Sequence, residues 1–495
     1  MKNKRGKIWG GLAGLLVVVI ALLFIPPQSS PPKEDLRRLT FAVLGKARQA
    51  KKKALLAHFR QMEQQAATIG TDSEMLAYFE RLQGKTGDAD LEYEVDKRYV
   101  MEYGDFYDLL FVDAKGHVFH SVKKEQDYRK NLFSPALADS RLAKALKNPD
   151  DEQFVEFRYY PPSGEPAAFF TVVARQGGRH LGWFVLQVAT NRVNTIFNDR
   201  QGLGRSGEVY LVNQERLMLT DSRFMEDSTI LRQQVDTWAV KDALRHESGE
   251  NIILDYRGAK VFSSYEKVEA LGVPWVIIAE MDEDEVITEY YKRHRHYFQR
   301  ELVRYLAKPR LGNGGLLNRQ GGAKRRVDMN EFARTETGRS LTTGGVATCT
   351  AVAISYPGRF GYLAHISPTD EIYLGNPLTR TLLGDEYHNF LADLLEKIKR
   401  FDIYPYELNR LQVVVVATHA DSFCKAVEAL LAEEVELAQI KFLYNPRARS
   451  ATLELDDQGE TLAVQWVEPG GDRGEQATDV EDLGAILKKI IRYGA

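Results

Sequence analysis

Between Ile8 and Ile25 the chain reads IWGGLAGLLVVVIALLFI, eighteen residues without a charge. As a helix rising about 1.5 Å per residue it would be roughly 27 Å long, close to the hydrocarbon thickness of a bilayer. Lys2, Lys4, Arg5 and Lys7 precede it, and Pro26, Pro27, Ser29 and Ser30 follow. The positive-inside bias then puts the N-terminus in the cytoplasm and all residues after the span outside it. The run is longer than a signal-peptide apolar core and no A-x-A cleavage site follows, so the reading is an uncleaved anchor rather than a removed leader. The later uncharged window Ser340–Gly358 is diluted by threonines, glycines, serines and a proline, and is too polar to span. The expectation is a single-pass inner-membrane protein whose residues 8–25 contact lipid and whose bulk is extracytoplasmic.

At 495 residues the chain is too long for one ordinary core, and length alone suggests about three domains. A formal charge of −3 argues against nucleic acid as a partner. The two cysteines, Cys349 and Cys424, are too few for a disulfide scaffold. They could form one bridge in an oxidising compartment, as a redox switch or a staple, or remain free thiols. No metal site or cofactor is expected; His294 and His296 are two apart and do not share a helical face.

Glu34 to Ile69 has apolar residues mostly at three- and four-residue steps, among them Leu36, Leu39, Val43, Ala47, Leu55, Leu56, Phe59 and Met62, which predicts a long helix. A pattern then occurs twice. DLLFVDAKGHVFHSV and GEVYLVNQERLMLTDS each read as strand, tight turn, strand. Three more strands close each unit: 154–159, 167–173 and 183–189 in the first, then 251–255, 260–266 and 275–280 in the second. Asn191–Asp199 is a short helix between the copies. Two small antiparallel α+β units in tandem follow from this.

These residues, with GWFVLQVATNRVNTIFNDRQGLGRSGEVYLVNQERLMLTDSRF the most specific stretch, resemble the double Cache sensor domain over about residues 34–290. The resemblance implies an extracytoplasmic receptor with two PAS-like modules along a long helix, binding a small ligand in the membrane-distal module. In the loop VKKEQDYRKNLF, Tyr128 and Arg129 are the candidate ligand-binding residues, because an Arg fork can pair a carboxylate. The Trp-Tyr of amino-acid-binding members is replaced by Lys130-Asn131-Leu132-Phe133. Asp282–Leu306 is too charged for a second membrane helix and reads as a soluble helix.

Lys308–Arg326 is Gly-rich and basic, and reads as a flexible linker. Beyond it, Leu341–Val352, Phe360–Ile366, Leu411–Ala417, Ile440–Leu443, Ser450–Leu455 and Thr461–Trp466 read as strands. Glu386–Arg400 and Phe423–Glu434 read as helices, giving a layered α/β domain. In LTTGGVATCTAVAISYPGRFGYLAHISP, Cys349 could be a nucleophile and His365, on the next strand, its base. Thr343 could orient the imidazole, and Gly344 and Gly345 let backbone amides approach a carbonyl.

This stretch resembles the catalytic motif of the chemoreceptor glutamine deamidase family CheD, over about residues 328–468. By resemblance Cys349 is the nucleophile, His365 the general base and acid, and Thr343 the orienting residue, in hydrolysis of a side-chain amide through a thioester. Ala347-Thr348 stand where the family has Gly-Ser, and Thr418-His419-Ala420-Asp421 replace its later glycine pair. The expected organisation is an anchor (1–30), a double Cache sensor (31–290), a helix and linker (291–327), a CheD-like domain (328–470) and a C-terminal helix (471–495). Two functions are consistent with it. One is a ligand sensor carrying a cysteine amidohydrolase that acts on an envelope protein. The other is a non-catalytic sensor whose last domain recruits a partner.

Overall fold

In the computed structural model, residues 35–84, 87–147, 154–188, 190–306, 323–369, 390–469, 473–475 and 481–491 are described. The expected span Ile8–Ile25 lies outside them; among the described residues no helix is long and apolar enough to cross a membrane. The fold is α+β and divides into two units, Arg38–Glu283 and Asp284–Ala495, the latter grouped with Met1–Arg37.

In the first unit, α1 (Leu36–Ile69) buries Phe41, Leu44, Leu55, Phe59, Met62, Ala66 and Ile69. Val43, read as part of the apolar stripe, is exposed, and Leu44 takes the inward position. Helices α2 (Ser73–Gly84) and α3 (Ala89–Arg98) lead to β1 (Phe106–Asp113) and β2 (Val118–Ser121). Gly116 turns this hairpin with a φ of 86°, and a Cβ there would collide with the Phe133 ring. Only glycine meets both demands. After α4 (Arg141–Lys147), strands β3 (Phe154–Tyr160), β4 (Glu165–Gln176) and β5 (Arg179–Val188) complete an antiparallel sheet ordered β2-β1-β5-β4-β3. The expected first module is thus present, with longer strands.

The second module follows α5 (Thr190–Asn198), with β6 (Glu208–Val212), α6 (Trp238–His246), β7 (Ser248–Leu254), β8 (Lys260–Ala270) and β9 (Val273–Asp282) in the order β6-β9-β8-β7. Its expected hairpin is only half formed. The return leg makes isolated bridges, because Leu219 N donates to Leu211 O while Met218 N donates to Gln233 O, splitting its ladder between two neighbours. Trp275 on β9 joins the modules: its Nε1 donates to Glu156 Oε1 on β3 at 2.9 Å, and its ring lies 5.3 Å from Phe59 of α1 and 6.2 Å from Phe154 and Phe157. One aromatic cluster therefore fixes both sheets to the long helix.

The charged segment after β9 is helical but broken at His294 into α7 (Glu283–Arg293) and α8 (Arg295–Leu306). It is not a free neck. Val286, Ile287, Tyr290, Tyr291, Phe298 and Leu302 are buried, Leu437 N donates to Thr288 Oγ1 at 3.3 Å, and Lys488 pairs with Asp284 at 2.8 Å. These helices belong to the second unit.

That unit has two sheets. β10 (Ala323–Arg326), β12 (Arg339–Val346), β17 (Ser450–Leu455), β18 (Leu462–Val467) and β19 (Arg473–Glu475) form one in that order. β11 (Glu331–Arg334), β14 (Phe360–Ile366), β13 (Thr350–Tyr356), β15 (Gln412–Ala417), β16 (Ile440–Tyr444) and β20 (Glu481–Asp482) form the other. Leu341, Val346, Ala351, Leu363, Val416, Leu453 and Trp466 make the core between them. Helices α9 (Phe390–Phe401), α10 (Ala420–Ala432) and α11 (Leu483–Ile491) complete the layers, α10 packing on β15 and α11 on β16.

Two expectations change here. Residues 323–326, read as the end of the linker, form an edge strand parallel to β12. All four side chains are exposed, so their backbone pairing leaves no hydrophobic signature. Leu341–Val352, read as one strand, is two strands on different sheets, with a corner at 347–349. The register shifts between Thr343 and Val346, where Gly345 has a φ of 72°, and this bulge turns the chain out of the first sheet.

Candidate functional site

The end of β14 places His365 against Thr343, and Cys349 lies at the corner between the two sheets. Thr343 is buried on β12, and its Oγ1 lies 2.8 Å from both Val327 O and His365 Nδ1. A carbonyl can only accept, so the single hydroxyl proton goes to Val327 O. Thr343 Oγ1 then accepts from His365 Nδ1–H, which assigns the tautomer and leaves the Nε2 lone pair as the basic position. Among the described residues, His365 Nε2 is buried without a hydrogen-bond partner. Burial lowers the His365 pKa, with Asp328 opposing and Arg326 adding to the effect, so the imidazole is neutral at pH 7.

Cys349 occupies the corner rather than a strand. His365 is directly opposite Ala351 in the β13–β14 ladder, and Cys349 precedes Ala351 by two residues, one pleat along the chain. The thiol is buried and donates to Met329 Sδ at 3.7 Å. Burial pushes its pKa up, with a hydrogen bond from Thr348 opposing. In this arrangement the thiol keeps its proton and directs it at Met329 rather than at His365.

The corner itself is tied down by Thr418, which sequence reading treated only as a departure, and by Ser422, which it did not single out. Thr418 Oγ1 donates to Ala347 O, and Ser422 Oγ donates to Thr348 O at 2.8 Å. Hydroxyls at the start of α10 thus hold the two carbonyls before Cys349. Met329, Val327 and Asn330 were also missed. The Asp-Met-Asn sequence carries only a weak turn signal, and their importance comes from where β10 pairs. Gly345 has nothing within 4 Å of a Cβ position, leaving its backbone approachable, whereas a Cβ on Gly344 would lie 3.3 Å from Thr452 Oγ1.

Cys424 and Cys349 are both free thiols, so the suggested bridge is not formed. Burial raises Cys424 to about 12, with Glu428 and Asp421 adding to it.

Tyr128 and Arg129 lie together on the loop after β2. Tyr128 OH donates to Glu92 Oε1 at 3.2 Å, and the guanidinium of Arg129 lies 5.0 Å from the Tyr128 ring centroid. Arg129 is exposed, at a φ of 62°. In the second module an open groove of about 890 Å³ is lined by Thr237, Trp238, Asn251, Ile253 and Tyr256 among others. That module also holds Glu208 and Glu280 directly opposite one another on β6 and β9, both buried. Tyr256 OH donates to Glu208 at 2.6 Å, and Tyr210 OH and Ser263 Oγ donate to Glu280 at 2.8 and 2.7 Å.

No family model and no curated protein matches the sequence. Among solved structures, the chain is similar to the ligand-binding domain of the Pseudomonas aeruginosa PAO1 amino acid chemoreceptor PctB in complex with L-Arg. Identity is 17%, 51% of this chain and 97% of that one are covered, and the TM-score is 0.34. It is similar to the corresponding domain of PctC in complex with GABA at 16% identity, covering 49% and 100%, with a TM-score of 0.36. The sensor domain of the V. cholerae histidine kinase DctB matches at 10% identity over 49% and 98%, with a TM-score of 0.35.

Proposed function

We propose that residues 38–283 sense a small ligand outside the cytoplasm and that the C-terminal unit is a cysteine amidohydrolase acting on a Gln or Asn side chain of an envelope protein. The observation that carries the catalytic reading is the Thr343 hydroxyl, which gives its proton to Val327 O and so holds His365 with Nε2 free. The tandem sheets on one helix support the sensor reading, and the uncharged run Ile8–Ile25 supports the compartment.

In the proposed reaction His365 Nε2 takes the Cys349 proton as Sγ attacks the amide carbon. The proton then passes to the nitrogen as the C–N bond breaks, releasing ammonia and leaving a thioester. Water, deprotonated by His365, attacks the thioester; a carboxylate leaves and the thiol is restored. Thr343 keeps the ring oriented through both halves. Neutral His365 suits the first step, since an imidazolium could not accept the proton.

The second reading, a sensor whose last domain only binds a partner, is favoured by the raised Cys349 pKa and its contact with Met329. Iodoacetamide modification of Cys349, followed by peptide mass spectrometry from pH 5 to 9 beside His365→Ala, separates the two. The hydrolase reading expects the reactivity profile to move to higher pH when His365 is removed. Superimposable profiles would leave the binding module.

A further inference from the structure

The segment between β10 and β11, Val327–Asn330, crosses the site as a strap. At its start Val327 N donates to Thr342 O at 2.8 Å, and Val327 O accepts from Thr343 Oγ1 at 2.8 Å. At its end Asn330 N donates to His365 O at 2.6 Å, and Asn330 Oδ1 accepts from Ser367 N at 2.9 Å. One end is therefore fixed to the strand carrying Thr343 and the other to the strand carrying His365. Asn330 holds a φ of 63°, in the left-handed region that asparagine tolerates, and this reverses the chain into β11.

Between these anchors lie Asp328 and Met329, both exposed. Asp328 pairs with Arg326 at 2.8 Å on the surface, a contact that contributes little to holding the strap. Met329 is 56% exposed while its sulfur touches a thiol that is only 7% exposed, so its side chain lies between Cys349 and solvent. An unbranched thioether with three rotatable bonds can swing aside at small cost. Its departure would also remove the acceptor that the thiol proton now has.

We propose that Val327–Asn330 is the gate of the site and that Met329 is the side chain a substrate must displace before Cys349 can turn to His365. The proposal rests on the reading of Cys349 as the nucleophile. It places specificity in the strap: a substrate must offer an apolar group beside its amide to replace the thioether against the thiol and the core around it.

The test uses the full-length protein in detergent and measures iodoacetamide modification of Cys349 and Cys424 separately, by peptide mass spectrometry, for wild type, Met329→Ala and Met329→Leu. The gate expects Met329→Ala to speed modification of Cys349 about tenfold, as for loss of one local closing contact, with Cys424 unchanged and Met329→Leu near wild type. Met329→Ala within twofold of wild type at Cys349 would overturn it. So would a parallel rise at Cys349 and Cys424, which would mean that the whole unit has loosened. These rates report access to the thiol, whereas the pH profile of His365→Ala reports the base, so failure of the gate and failure of the hydrolase reading are distinguishable.

Discussion

Thr343→Val replaces a buried hydroxyl with a methyl of nearly the same shape and strands two buried groups at once, Val327 O and His365 Nδ1–H. Each stranded group costs about 1 to 3 kcal/mol, and the added methyl returns part of that. A net loss of about 2 to 4 kcal/mol to the C-terminal unit follows. At about 1.4 kcal/mol per tenfold change, the population of its opened state rises roughly 30- to 800-fold. Both cysteines lie in this unit, and Cys424 is buried on α10, so its modification rate under native conditions with fast closing reads that population without interference from the first unit. Thr343→Ser keeps both hydrogen bonds and loses only a methyl, for which about 1 kcal/mol is expected. The reasoning fails if Thr343→Val modifies Cys424 within threefold of wild type, or if the Ser and Val variants behave alike. Either result would mean that the Thr343 hydroxyl does not hold the two strands and the imidazole together.

Glu280, raised by burial to about 8 from an ordinary 4.5, keeps in the folded first unit a proton that the unfolded chain has lost. Its contribution to stability is complete below pH 4.5, declines as pH rises and is lost by about 8. Glu280→Gln is expected to flatten this decline in unfolding curves of the first unit from pH 5 to 9, and an unchanged slope would assign the pH dependence elsewhere. Trp275→Ala removes the aromatic joint and its hydrogen bond to Glu156, at about 3 to 5 kcal/mol. Denaturation of the first unit should then divide into two transitions, and a single transition with wild-type midpoint would show that α1 alone couples the modules. Gly116→Ala meets both an unfavourable φ and the Phe133 ring, so it should lower the melting temperature of the first unit measurably. An unchanged melting curve would show that the hairpin can relax around a side chain.

Periodicity alone located most of the strands. β17 is bounded by turn residues and its inward Ala451, Leu453 and Leu455 are apolar, whereas β1 and β2 were legible although they also bury Asp108, His120 and Ser121. The long helix was legible for the same reason, although Val43 and Leu44 exchanged roles because two adjacent apolar residues leave the rotation of a helix undetermined. Where pairing is carried by the backbone, the sequence was silent. β10 consists of exposed Ala, Lys and Arg side chains, and no hydrophobic pattern distinguishes it from a linker. α7 and α8 read as solvated because charge is frequent in them, yet a stripe of Tyr, Phe and Leu is enough to bury one face.

Thr343, Cys349 and His365 were singled out by residue type and spacing, and of the three the structure puts Thr343 and His365 in contact. Spacing could not say that Cys349 sits at a corner between two sheets, that Thr418 and Ser422 hold that corner, or that Met329 covers the thiol. These are contacts between residues 20 to 74 positions apart, set by which strand edges meet. The sequence by itself determined most of the elements and the chemical inventory, because local periodicity and side-chain type are local properties. Only the tertiary structure decided the tautomer of His365, the resting direction of the thiol proton and the strap that closes over it, because each depends on a partner brought in from a distant part of the chain.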